Sequence, residues 1–174
     1  MTPAELLAVL DRHAVPYERL DHEPLMTCED VARVMPAELD AVHTKNLFVR
    51  DKKGRRHWLV VTVCEKPVDL KRVTEIAGAD NLSFASPDRL MRYLGVSPGA
   101  VTVLGLVHDE AHAVSLLIDR DVWAAERLCC HPLVNDATLV LTHEGLARFL
   151  DVTGHEPRVI TVPERGSDAR PSSS

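Results

Sequence analysis

The chain has 174 residues, 45% of them hydrophobic and only 4% aromatic, and a formal charge of −6. This is enough for one domain with an aliphatic core, while the acidic balance excludes a broad surface gripping nucleic-acid backbone, which needs many clustered Lys and Arg. Apolar runs fall short of the roughly 18 residues of a membrane helix, and the first residues lack a signal-peptide pattern, so a soluble cytoplasmic protein without a membrane partner is expected.

Thr2-Pro3-Ala4-Glu5 has the form of a capping box with Pro at the first helical position, and Leu6, Leu7 and Leu10 give the predicted helix its apolar face. Pro16 stops it, and Val15 to Leu20 reads as a short strand before the loop Asp21–Pro24. Thr27 with Asp30 starts a second helix, closed by Pro36, whose Val31, Val34 and Met35 are expected to face inward. Val42–Arg50 and His57–Val63 form the clearest hairpin, turning at Asp51-Lys52-Lys53-Gly54. Its second arm is nearly all apolar, which places it centrally in a sheet covered on both faces. Asp69 caps a helix carrying Leu70, Val73, Ile76 and Ala77 and ending at Gly78. Leu82 and Phe84 alternate as a short strand, and Ser86-Pro87 opens a helix with Leu90, Met91 and Leu94 inside and Gly95 beyond its end.

Gly95 to Gly105 holds three glycines and one proline among apolar residues. It reads either as a helix cap with a turn into a strand, or as a loop whose bare N–H groups are held toward a carbonyl or phosphate. Ala113–Ile118 and Ala137–Leu141 are buried-strand candidates, with Trp123 in a short connection between them. Leu146, Phe149 and Leu150 mark a last helix and Val159–Val162 a last strand. Residues 1–163 are thus expected to form one compact mixed α/β domain with a largely antiparallel, curved sheet flanked by helices. The remainder, 164–174, reads as a disordered tail.

Lys45 interrupts an apolar strand. It sits either on the polar face of an edge strand or as a point charge held to receive a phosphate. Asn46 points to the opposite face of a regular strand, so the two can share a site only near a bulge or strand end. Between Lys45 and Arg56 six basic residues stand against Asp51 alone, which fits a solvated hairpin tip or a nucleic-acid contact. Cys129-Cys130-His131 does not read as a thiol nucleophile with its base, since neighbours in an extended chain point apart. A turn offering His131 and Asn135 to a polar ligand, or a core histidine, fits better. The four cysteines form no C-x-x-C pair, so neither a disulfide framework nor a zinc site is expected. His108 and His112 lack the zincin order and read as a polar hairpin loop; a metal-binding protein using them with the cysteines is a remote alternative. No Walker loop, G-x-S-x-G elbow or dinucleotide fingerprint is present.

Three segments in order, His43–Gly54, Leu94–Thr102 and Cys130–Asn135, resemble the signature stretches of the YbaK-type aminoacyl-tRNA deacylases, nearest the freestanding prolyl-tRNA editing proteins. The resemblance implies a trans-editing hydrolase that removes alanine from mischarged tRNA(Pro). Its partners would be the acceptor end of aminoacyl-tRNA, tRNA(Pro) foremost, and prolyl-tRNA synthetase as a second candidate, with the protein a monomer or homodimer. It implies further that Lys45 lies near the terminal phosphate or ribose, and that Gly99, Ala100, Val101 and Thr102 hold the aminoacyl carbonyl. Asn46, His131 and Asn135 would position the substrate, and Met26, Thr27 and Val31 wall the amino-acid pocket. Relatives carry Gly-x-x-x-Pro where this chain has Gly99 to Val103, so the proline is replaced by Val103. An aminoacyl ester is already activated, so no metal, cofactor or protein nucleophile is called for. A lysine, loop amides and water, helped by a ribose hydroxyl, suffice. The alternatives are clearance of cysteine or serine by the same fold, or a non-catalytic domain binding aminoacyl-tRNA or a synthetase.

Overall fold

The computed structural model describes residues 1–166. Helix α1, Pro3–Arg12, begins at the Thr2–Glu5 capping box and buries Leu6 and Leu10 completely. Strand β1, Tyr17–Asp21, leads to α2, Cys28–Val34, which opens on a second capping box, Thr27 with Asp30. The hairpin is β2, Val42–Arg50, and β3, His57–Val63, in register from Thr44↔Val63 to Arg50↔His57. Its turn is closed by the Asp51 carboxylate, which accepts from the N–H groups of Arg55 and Arg56. Then follow α3 (Leu70–Ala77), β4 (Ser83–Phe84) and α4 (Pro87–Leu94), the last ending at Gly95 with φ +64°. A 3-10 helix, Val103–His108, precedes β5 (Val114–Asp119), α5 (Arg120–Trp123), β6 (Arg127–Cys130), β7 (Ala137–Thr142), α6 (His143–Thr153) and β8 (Pro157–Ile160).

The strands form one sheet in the order β1-β7-β6-β2-β3-β5-β8, with β4 added beside the end of β2. Among the described residues four pairings are antiparallel and three parallel. The central position of β3 is as expected. Its Leu59 and Val61 enter a core with Leu6, Leu10, Leu104, Phe149 and the strand interiors. Its Trp58 and Val60 enter a second core, under α3, with Val49, Val73, Ala77 and Leu117. Strand β2 positions the site. It pairs with β6 only through Val42 and His43, then turns away, so from Thr44 until Val49 meets Phe84 of β4 its flank on that side has no strand beside it among the described residues.

Several expectations are corrected here. Met91 points outward and is 56% exposed, because Leu90 and Leu94 alone satisfy the inner stripe of so short a helix. Helix α2 buries none of its own residues; Val31 and Val34 are half-buried and Met35 is buried just beyond the helix end. After the glycine loop the chain coils into the 3-10 helix rather than a strand, capped by the fully buried Thr102, whose Oγ1 accepts from Leu104 N–H. Cys28 and Cys64, 36 residues apart, are joined in a disulfide, because the start of α2 lies over the end of β3. At the C-terminal end Glu164 bridges Val68, and Arg165 N–H donates to Pro67 O, so the ordered chain passes the expected tail boundary. Residues 167–174 of that tail lie outside the described residues.

Candidate active site

A cavity of about 230 Å³ opens where β2 parts from β6. Its walls are Leu25 to Cys28 and Val31 at α2, Thr44, Lys45 and Asn46 on β2, Cys64, the loop residues Gly99 and Val101, and His131 after β6. Eight of the residues singled out from the sequence therefore meet in one place. Lys45 and Asn46 do leave β2 on opposite faces: Lys45 is in register with Thr62, and Asn46 with the core residue Val61. No bulge or strand end is needed to bring them together. A cavity at an unpaired strand flank is reached from both faces at once.

Lys45 is half-buried, and its Nζ donates to the backbone carbonyl of Lys66 in the turn after β3. Burial, and then the nearby Arg165, hold its ammonium below the ordinary lysine range, with Glu65 acting the other way. An ammonium has three protons, so two remain for a ligand. Asn46 Oδ1 is buried without a hydrogen-bond partner among the described residues. An unsatisfied carbonyl costs about 1–3 kcal/mol, and this one belongs to a residue that lines the cavity.

His131 is oriented by its own turn: Nδ1 lies 3.1 Å from Ala137 O, so the proton sits on Nδ1 and the Nε2 lone pair is left to accept. Burial, with His22 nearby, holds it below the ordinary histidine value and so neutral at pH 7. The two thiols before it are poor nucleophiles, since burial pushes Cys129 up to about 12 and Cys130 further still.

In the glycine loop the N–H of Ala100 is spent on Ser97 O, whereas those of Gly99 and Val101 have no acceptor among the described residues. The loop divides accordingly. Gly99 and Val101 line the cavity, while Ala100 and Thr102 are buried behind them. Val103 is fully buried at the first position of the 3-10 helix, a place that also suits proline. The Thr102 cap fixes the loop's end without it.

Asn135 stands at the rim rather than in the wall. Its backbone oxygen accepts from Leu25 N–H, and its Nδ2 donates to Met26 Sδ at 3.0 Å. It rivets the loop before α2 above Gly99. Met26 is 63% exposed over the mouth. Thr27 is spent on capping α2 through Asp30 N–H. Leu25, Cys28, Thr44 and Cys64 also line the cavity and were not read from the sequence. Thr44 carried a signal in its place beside Lys45. The cysteines carried none, because disulfide partners distant in sequence cannot be paired from spacing.

Outside the cavity, His108 bonds Gly105 O and His112 bonds Thr153 O. Among the described residues no three His, Cys, Asp or Glu stand together as a metal-binding group, and no helix is long and apolar enough to cross a membrane.

Comparison with known proteins adds to this geometry. The sequence pattern of the aminoacyl-tRNA editing domain matches residues 22–149. The chain is 36% identical over 157 residues to the prolyl-tRNA editing protein ProX of Acetoanaerobium sticklandii, covering 90% of this chain and 95% of that one. It is 35% identical over 161 residues to prolyl-tRNA synthetase associated domain-containing protein 1 of Danio rerio, covering 90% of this chain and 85% of that one. In fold it is similar to the crystal structure of a candidate trans-editing enzyme for prolyl-tRNA synthetase, with a TM-score of 0.70 at 18% identity over 94% of this chain and 98% of that one.

Proposed function

Because the chain belongs to the aminoacyl-tRNA editing domain family and is an aminoacyl-tRNA deacylase acting on mischarged products of prolyl-tRNA synthetase, we propose that it removes alanine from tRNA(Pro). One observation carries the reading: Lys45, Asn46, His131, Gly99 and Val101 line a single cavity, and the N–H groups of the last two have no acceptor among the described residues. Lys45 takes the terminal phosphate or ribose. The two amides receive the ester carbonyl and the charge that grows on it as water attacks, an arrangement in which one lost donor costs about 10²- to 10³-fold in rate. Asn46 Oδ1 and His131 Nε2 accept from the ribose hydroxyls or the amino group. The geometry calls for no protein nucleophile.

Selection is by size. Val31, Met26, Cys28 and Cys64 line the cavity with Gly99, and on this reading they form the wall that would admit a methyl group and reject a pyrrolidine ring. The basic hairpin lies about 17 Å along β2 from Lys45, at about 3.3 Å per residue. With Asp51 turned inward, Arg50, Lys52, Lys53 and Arg89 line a groove there suited to the phosphates of the acceptor stem. The editing unit on this reading runs from residue 1 to Arg165, with tRNA(Pro) and prolyl-tRNA synthetase as partners.

The test is a deacylation panel of tRNA(Pro) charged with alanine, cysteine, serine or proline. Alanine should be released and proline retained, and Lys45→Ala should lower kcat/KM for alanine by about 100-fold or more with the fold intact. Preferential release of cysteine or serine would reassign the pocket. Binding without release of any of the four would identify a non-catalytic module.

A further inference from the structure

We propose that the buried pair Lys66–Asp119 is the positioning device of this site, fixing the turn after β3 so that the Lys66 carbonyl aims the Lys45 ammonium into the cavity. The inference rests on the reading of Lys45 as the group that receives the acceptor end of the substrate.

A lysine at a turn ordinarily reaches water, but Lys66 is only 7% exposed, and its Nζ lies 2.7 Å from Asp119 Oδ2 and 3.1 Å from Asp121 Oδ2. Asp119 is fully buried, and its Oδ2 also accepts from the Thr62 hydroxyl at 2.6 Å. Thr62 is the register partner of Lys45 on β3, on the same face of the sheet. The circuit therefore closes on itself. Lys45 Nζ donates to Lys66 O, Lys66 Nζ is held by Asp119, Asp119 is held by Thr62, and Thr62 stands beside Lys45. Burial works against the charge on Lys66, but the two carboxylates outweigh it and raise it above the ordinary lysine range.

Such a pair is a poor device for stability alone, because desolvation cancels much of its attraction and apolar residues would pack as well. What it supplies is a fixed direction. A carbonyl on a loose turn would let the long Lys45 side chain swing, and a misplacement of about 1 Å can cost roughly 100-fold in rate. Lys66 and Asp119 touch no substrate and act through Lys45.

The experiment is a double-mutant cycle on the full chain, reading kcat and KM for alanine release from Ala-tRNA(Pro). Lys66→Met should lower kcat/KM by roughly 10- to 100-fold, and Lys66→Arg should restore most of it. In a Lys45→Ala background Lys66→Met should change kcat/KM by less than about twofold, since there is no ammonium left to place. Equal losses in the two backgrounds, no loss, or no rescue by arginine would each overturn the proposal. Should Lys66→Met fail to fold, the charge-free Lys66→Met/Asp119→Leu protein takes its place in the cycle with the same expectations. A second readout needs no activity: the side-chain ¹³Cε resonance of Lys45 should be distinct in the wild type and move toward that of a free lysine in Lys66→Met. If the wild type released no alanine, the substrate reading would fall, and this resonance would decide the positioning, which is overturned if it is the same in both proteins.

Discussion

Gly99 has φ +89°, and a Cβ built there would stand 2.8 Å from Met26 Cε and 2.9 Å from its Sδ. Met26 is exposed and flexible at its end, so the contact alone is cheaply relieved; the backbone conformation is not, and costs a side-chain-bearing residue about 1–3 kcal/mol. Gly99→Ala should therefore lower Tm by roughly 2–12 °C, at about 2–4 °C per kcal/mol, and cut kcat/KM at least about tenfold because the methyl enters the cavity beside the carbonyl site. A variant with lowered Tm and wild-type turnover would place the carbonyl elsewhere. At this scale much of the site was legible: a charge breaking an apolar strand, a glycine needing positive φ, and a histidine next to a proline turn each carry a local signal. The unpartnered Oδ1 of Asn46 and the tautomer of His131 were not legible, since both depend on what a distant segment brings near.

Among the elements, α2 is the weakly held one. It walls the cavity but buries none of its own residues, so the Cys28–Cys64 bond is its main anchor to the sheet. A cross-link spanning 36 residues stabilises by about 3–4 kcal/mol through the entropy it removes from the unfolded chain. Dithiothreitol, or the Cys28→Ser/Cys64→Ser variant, should lower stability by about 2–4 kcal/mol. It should also speed hydrogen exchange in α2 before any other helix and weaken the rejection of proline. Unaltered α2 exchange after reduction would show that the capping box and Met35 hold the helix by themselves. The second capping box was readable from Thr27 and Asp30; that the helix lies loose and pinned by sulfur was not.

Across the whole molecule, His43, His57, His108 and His131 are all held below the ordinary histidine value of 6.5, in each case first by burial. For His57 the adjacent Arg89 adds to it. Below pH 6.5 the unfolded chain then binds more protons than the folded one, so the folded state is favoured fully above that pH and loses ground as pH falls from 6.5 to the lowered values. Tm should be level near pH 7 and drop by several degrees toward pH 5, before the carboxylates titrate. A Tm unchanged to pH 5 would mean that these rings protonate in the folded state without resistance.

By itself the sequence determined what is written within a few residues: both capping boxes, the glycine-ended helices, the hairpin and its turn, the two-sided burial of β3, and the three segments that carry the family resemblance. Only the tertiary structure decided which strands become neighbours, that β2 leaves β6 after two residues and so opens the cavity, and that Cys28 meets Cys64 and Lys45 meets the Lys66 carbonyl. The physical reason is range. Caps, turns and alternation act between residues a few positions apart, whereas strand order and the cavity at its split arise from the joint packing of two cores on either face of one sheet, which no single stretch encodes.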